Sequence, residues 1–182
     1  VTQFEKIGDA FFAANRPELA VKAFEKAFEA GKGKPGVLSV NLAKAYVKTK
    51  QFDNSLTQLQ KYFDAQLTTQ GREPYQLLAD VLKETGKSAE LIGKLEELAK
   101  IDTRNSALQC FLAEQYAAAD RLKEAEQILT KVVNELSDPE GYVGLAAIYR
   151  KQNRAEELLD VLAKAFKGKK GLERLDDEIE TI

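Results

Sequence analysis

The 182-residue sequence contains no histidine, no methionine and no tryptophan. Without histidine, the chain alone cannot form a Ser-His-Asp or Cys-His nucleophile system or a zinc site with imidazole ligands. It also lacks the GxxxxGK[ST] motif that binds nucleotide phosphates. Because these absences remove many kinds of catalytic site, we expect a protein that is not an enzyme and that uses no cofactor or metal.

Cys110 is the single cysteine. It cannot form an internal disulfide, so cysteine usage leaves the redox compartment open. Its sequence neighbours carry no positive charge that would activate the thiol. We therefore interpret Cys110 as a small, inert and partly buried residue.

The charges are nearly balanced, with 27 basic and 29 acidic residues and a net charge of -2. A nucleic acid or an anionic membrane would favour an excess of lysine and arginine. No apolar run approaches the length of a transmembrane helix. We expect no nucleic-acid partner and no direct insertion into a membrane.

A five-residue pattern recurs along the chain: a large aliphatic residue, a small residue, two variable residues and a second large residue. Its copies begin at Ile7, Leu42, Leu78, Leu112 and Leu145, which are 35, 36, 34 and 33 residues apart. A second pattern, with spacings of three and four residues, follows each copy and begins at Ala20, Ser55, Leu91, Ala125 and Leu158. These spacings are helical, so each unit is predicted to contain two amphipathic helices.

This pattern resembles the tetratricopeptide repeat, whose 34-residue unit carries L-G-x-x-Y followed by A-x-x-x-F. The resemblance covers about residues 1–166 as five tandem units. The first unit carries the pattern in Ile7, Gly8, Phe11, Ala20 and Phe24. Later units depart from it, since Leu91 and Leu158 replace the small residue and Ser55 is polar. The resemblance implies an all-α fold, a right-handed α–α superhelix (solenoid) of helix-turn-helix units.

Two helices alone cannot bury both of their apolar faces, so neighbouring repeats must stack. We predict a single domain over residues 1–182, with repeats at about 1–35, 36–71, 72–105, 106–138 and 139–168. Apolar residues at helical spacing predict one more helix over 172–182. This segment is either a capping helix or the first helix of a truncated sixth repeat.

The resemblance also implies where a partner would bind, because the first helix of each such repeat lines the concave face. The corresponding positions follow the spacing i, i+4, i+7, and in the first helix they are Glu5, Asp9 and Phe12. The fourth first helix begins this series at Cys110. Mixed charges and apolar side chains suit an extended peptide or an amphipathic helix. From this series and the helix positions beside it, we predict partner contacts at Phe12, Val40, Asn41, Lys44, Val47, Asp80, Lys83, Glu114 and Arg150.

One subtype of the family grips the C-terminal carboxylate of heat-shock chaperones with lysine, arginine and asparagine side chains. The matching positions here are Glu5, Asp9, Asn41, Glu73 and Leu77. Only Asn41 fits, and three acidic side chains would repel a carboxylate. This subtype is therefore excluded.

The leading hypothesis is a scaffold or adaptor that binds a segment of another protein in its concave groove. One alternative is a solenoid that self-associates through its ends, and another is a spacer within a larger protein. RNA binding is a weaker alternative: the pentatricopeptide family shares a 35-residue helical-hairpin pitch, but the acidic balance of this chain opposes it.

Overall fold

The computed structural model of the chain describes residues 3–65 and 71–167. These residues form α-helices and no β-strand. The helices are α1 (Gln3–Ala13), α2 (Pro17–Ala30), α3 (Val37–Lys48), α4 (Phe52–Asp64), α5 (Glu73–Glu84), α6 (Leu91–Ile101), α7 (Ser106–Ala118), α8 (Leu122–Lys131), α9 (Pro139–Lys151) and α10 (Ala155–Lys167). The all-α class that the resemblance implies is confirmed for these residues.

The chain divides into two compact units, Val1–Lys94 and Leu95–Ile182. In the first unit, α1 packs against α2, α2 against α3, α3 against α4, and α4 against α5. In the second, α7 packs against α8, α8 against α9, and α9 against α10. Within each unit, these helices thus contact their neighbours in sequence. That residues 1–182 form one domain stays a prediction, and the helix predicted over 172–182 lies outside the described residues.

Proline and side-chain caps mark the beginnings of several helices. The Asp138 carboxylate accepts a hydrogen bond of 2.9 Å from the Glu140 amide, and Pro139 is the first residue of α9. Asn105 caps α7 by accepting a hydrogen bond of 3.1 Å from the Leu108 amide. These side chains satisfy amides that have no partner within the first helical turn.

The first helix of each pair ends in the same way. The residue after the helix cap lies in the left-handed region, with φ between 55° and 72°. Its amide and the next amide return to carbonyls of the last helical turn, which is the Schellman arrangement. In α5, for example, the Gly86 amide donates to Lys83 and the Lys87 amide donates to Leu82. The left-handed residues are Asn15, Lys50, Gly86, Asp120 and Asn153.

Two of the second helices are irregular at one end. A short 3₁₀ turn, Ser88–Glu90, precedes α6. A π-helical turn, Val132–Leu136, continues α8 and ends at Ser137, which has a φ of 53°. Nothing in the spacing of the sequence pattern predicts either irregularity.

Small residues lie buried where the helices of a pair meet. Ala43, Ala113 and Ala146 are each at most 1% exposed. Ser55, which departs from the repeat pattern, is fully buried, and its hydroxyl donates a hydrogen bond of 3.0 Å to the carbonyl of Ala43. Its polar group is therefore satisfied, and the substitution keeps the small volume that the position requires.

Tyrosine hydroxyls donate to glutamates of the preceding helix pair at three places. Tyr46 donates to Glu25 at 2.8 Å, and Tyr149 donates to Glu126 at 3.1 Å. The third such bond joins Tyr116 to Glu96. Each bond joins a first helix to the second helix before it in the chain.

Two of these tyrosines also carry an arginine on the ring. Arg121 lies over the Tyr116 ring, with its guanidinium carbon 4.3 Å from the ring centroid. Arg154 lies 4.4 Å from the centroid of Tyr149 and forms two hydrogen bonds with the Glu126 carboxylate. Burial and the neighbouring carboxylates raise the pKa of all three tyrosines above the usual value, that of Tyr116 to about 12.

We expect Lys50→Gly to raise the free energy of unfolding by about 1 kcal/mol, because a side chain in the left-handed region is strained. Gly86→Ala should lower it by about the same amount. A Cβ at Gly86 would meet no atom within 4 Å, so this variant isolates the backbone strain from steric overlap. Denaturant unfolding followed by circular dichroism measures the free energy of unfolding of both variants. Changes of the same sign would contradict the left-handed conformation at these two helix ends.

Near neutral pH, Tyr116→Phe should lower the free energy of unfolding by about 1–2 kcal/mol, because it removes a hydrogen bond to a carboxylate. This loss should shrink as the pH rises from about 10 to about 12. In this range the unfolded tyrosine loses its proton while the folded one retains it. The wild-type protein therefore loses the stability that the Tyr116 hydrogen bond contributes, which the variant lacks at every pH. Urea unfolding at several pH values measures the difference, and parallel profiles for the two proteins would contradict the prediction.

Candidate functional site

All nine positions predicted to contact a partner lie on the first helices of the pairs. Phe12 is on α1, four of the positions are on α3, two are on α5, and α7 and α9 carry one each. Asp80, Lys83, Glu114 and Arg150 are exposed, and Phe12, Asn41, Lys44 and Val47 are half-buried.

Val40 is only 4% exposed and belongs to the core of the first unit. Helix α3 packs against α2, α4 and α5, so side chains on several sides of it are covered. Cys110, on α7, is 2% exposed for a similar reason, since α7 packs against α8 and α9. Residue spacing alone does not separate such covered positions from exposed ones.

A cleft in the first unit brings three of the predicted residues together. It has a volume of about 170 Å³. Its lining residues come from α1, α2 and α3 and are Asp9, Phe12, Ala13, Phe24, Asn41 and Lys44. Hereafter we call this feature the α1–α3 cleft. The other six predicted positions are not among its lining residues.

The floor of the α1–α3 cleft depends on Gly8. Gly8 is buried, and a Cβ atom on it would overlap the Phe24 ring, with Phe24 Cζ at 2.9 Å and two further ring atoms closer still. Phe24 is 1% exposed, so the ring is held in place by the core. Phe12 packs against the same core cluster. The absence of a side chain at position 8 therefore allows the aromatic ring to lie beneath the cleft.

The charges of the α1–α3 cleft are unevenly compensated. The Lys44 ammonium lies 2.5 Å from a carboxylate oxygen of Glu73, at the beginning of α5. Asp9 is exposed and forms no ion pair or hydrogen bond through its carboxylate with any described residue. The positive charge of the cleft is thus already paired, whereas its negative charge faces solvent.

Asn41 contributes an amide that can both donate and accept hydrogen bonds. It is half-buried, and within residues 3–65 and 71–167 its side chain has no hydrogen-bond partner. An amide in this position can pair with the main chain of an extended peptide, which offers a donor and an acceptor at each residue.

The sequence prediction omitted three lining residues of the cleft. Asp9 lies on the predicted helix face, and its spacing of three residues from Phe12 is the sequence signal that places the two side chains together. Ala13 follows Phe12 and has no distinctive sequence signal. Phe24 belongs to the repeat pattern of the first unit, and its ring is part of both the core and the cleft lining.

Within the described part of the chain, no group of three or more Asp, Glu, Cys or His residues is placed to hold a metal ion. None of the described helices is long and apolar enough to cross a membrane.

No family model matches this sequence, and no curated protein matches it. Solved structures do match. TTC0263, a thermophilic TPR protein of Thermus thermophilus, is 20% identical, with a TM-score of 0.60 over 97% of this chain and 96% of that one. MamA is 18% identical, with a TM-score of 0.60 over 96% and 97% of the two chains.

A third similar structure is that of YrrB, a TPR protein with an unusual peptide-binding site. It is 15% identical, with a TM-score of 0.54 over 90% of this chain and 84% of that one. The fold is the tetratricopeptide repeat. At these identities the likeness concerns the TPR fold, and the chemistry of the site rests on the residues of this chain.

We expect Gly8→Ala to lower the free energy of unfolding by about 1–3 kcal/mol, because the added methyl group overpacks the contact with Phe24. This cost outweighs the helix propensity of alanine, which favours the variant by about 1 kcal/mol. Gly93→Ala on α6 is the matched control, since its Cβ would meet no atom within 4 Å. Urea unfolding measures the free energy of unfolding of both variants, and Gly93→Ala should be neutral or stabilising. Equal effects of the two variants would contradict the role of Gly8.

Proposed function

We propose that this TPR protein is a non-catalytic interaction scaffold that binds a peptide or helical segment of a partner protein along its first helices. The α1–α3 cleft is the anchor point, with Phe12, Asn41 and Lys44 in direct contact. Val40 belongs to the core and is left out of this surface. The remaining predicted positions extend the contact surface along each unit and are Val47, Asp80, Lys83, Glu114 and Arg150.

The observation that carries this proposal is the composition of the α1–α3 cleft. It combines an accessible aromatic side chain, Phe12, with an unpaired amide, Asn41, and with charges at the rim. An apolar surface with a few polar groups that fix orientation is the usual composition of a binding pocket. YrrB shows that a TPR protein can carry a peptide-binding site.

The size of the cleft favours one side chain over a whole small molecule. Sites for drug-sized ligands measure about 300–1,000 Å³, whereas a cavity of about 150 Å³ holds a benzene molecule. At about 170 Å³, the α1–α3 cleft fits a single anchoring side chain of a longer segment.

Self-association is the second candidate function, and exposed apolar side chains favour it. Phe4 and Ile7 on α1 are 40% and 38% exposed. Leu159 and Phe166 on α10 are 63% and 43% exposed. Sedimentation velocity over a range of protein concentrations would reveal a dimer if these surfaces pair.

The test of the scaffold proposal begins with a random 12-residue peptide library displayed on phage and selected on the wild-type protein. Synthetic copies of the enriched peptides are then measured by fluorescence anisotropy. Phe12→Ala should weaken binding about tenfold or more, as for a central aromatic anchor. Asn41→Ala should weaken it by about two- to tenfold, the range expected for one hydrogen bond.

Asn54→Ala is the matched control for Asn41→Ala, because Asn54 is exposed on α4 and does not line the cleft. It should bind the peptides with wild-type affinity. Thermal melts of each variant check that the fold is kept. Peptides that bind wild type, Phe12→Ala and Asn41→Ala equally well would place binding elsewhere and contradict the proposal.

A further inference from the structure

Asp9 presents the uncompensated charge of the α1–α3 cleft. The only cationic lining residue, Lys44, is paired with Glu73 at 2.5 Å, whereas no described residue pairs with the Asp9 carboxylate. A ligand group that enters the cleft beside Asp9 therefore meets a carboxylate that no described residue pairs.

The walls of the cleft suit the apolar part of a long side chain. Phe12 and Ala13 supply accessible aromatic and methyl surface, whereas the Phe24 ring lines the cleft but is only 1% exposed. The volume of about 170 Å³ fits one side chain. Lysine and arginine have this divided character, since their methylene stems pack on apolar surface while the charged end seeks a polar partner.

We propose that the α1–α3 cleft binds a basic side chain, lysine or arginine, of the partner segment, with the cation on Asp9 and the stem against Phe12. The Asn41 amide holds the main chain of the same segment. This inference rests on the proposed function and specifies the chemistry of the residue that it anchors.

The alternatives fit the cleft less well. An acidic side chain would face Asp9 and would have to displace Glu73 from Lys44. A purely apolar side chain would remove water from the Asp9 carboxylate and return no hydrogen bond. A cation beside an aromatic ring is favourable, and this protein already packs Arg121 on Tyr116 and Arg154 on Tyr149 in the same way.

The test uses three capped tripeptides, acetyl-Ala-Arg-Ala-amide and its Leu and Glu analogues, in amide-resolved NMR titrations of the wild-type protein. The Arg tripeptide should give saturable shifts at Phe12, Ala13 and the Asn41 side-chain amide. It should bind more tightly than the Leu analogue, and the Glu analogue should bind most weakly. Raising the salt concentration should narrow these differences, because an exposed ion pair is screened.

Asp9→Asn should lower the affinity for the Arg tripeptide by about threefold, the scale expected for an exposed ion pair. Asp9→Lys should reverse the order of affinities, so that the Glu analogue binds more tightly than the Arg tripeptide. Asp53→Asn is the matched control, since Asp53 is exposed on α4 outside the cleft. It should leave all three titrations unchanged.

Equal binding of the Arg and Leu tripeptides, or an Arg titration that Asp9→Asn does not alter, would overturn the inference in favour of a purely apolar anchor. The absence of shifts with all three tripeptides would also overturn it. In either case the proposed function stands if the selected 12-residue peptides still depend on Phe12 and Asn41. If those peptides bind independently of both residues, the scaffold proposal fails together with the inference.

Discussion

The structure depends on how closely the two helices of a pair can approach. Gly8 permits this approach in the first pair, where even a methyl group would overlap the Phe24 ring. In the second pair the small side chain of Ser55 permits a close approach, and its hydroxyl donates a hydrogen bond to the Ala43 carbonyl. Since interiors pack at high density, a small residue at the crossing determines where the large residues of both helices must lie. The helix pair, the stacking of the pairs and the cleft beside α1 all follow from this contact.

Consecutive helix pairs are joined by tyrosine–glutamate hydrogen bonds, and in one of the three the glutamate lies at a different position in the repeat. Tyr46 and Tyr116 donate to Glu25 and Glu96, which occupy equivalent positions in their repeats. Tyr149 instead donates to Glu126, one helical turn earlier in the second helix of the fourth repeat. In this pair Arg154 clamps the same carboxylate. A tyrosine hydroxyl therefore keeps a carboxylate partner even where the repeat has drifted, which is expected of a half-buried polar group that loses water on packing.

The sequence was sufficient to predict the helix pairs, because the spacing of small and large residues is a local property that recurs in each repeat. It could not predict that Val40 is buried or that Lys44 pairs with Glu73, since both depend on which helices cover α3. Periodicity locates a residue on a face of its own helix, but only the packing of neighbouring helices decides how much of that face solvent reaches. The α1–α3 cleft was therefore only partly visible in the sequence.

The repeat presents the same two positions on every first helix, and the side chains there decide what each helix can bind. One position carries Asp9, Lys44, Asp80, Glu114 and Ala147 along the chain, and the other carries Phe12, Val47, Lys83, Ala117 and Arg150. Only the first helix combines an acid with an aromatic ring. In the third, Asp80 shares its helix face with Lys83, so a cation of the protein lies where α1 offers apolar surface. The tetratricopeptide fold supplies regularly spaced positions, and Asp9 with Phe12 gives the first of them its distinct chemistry.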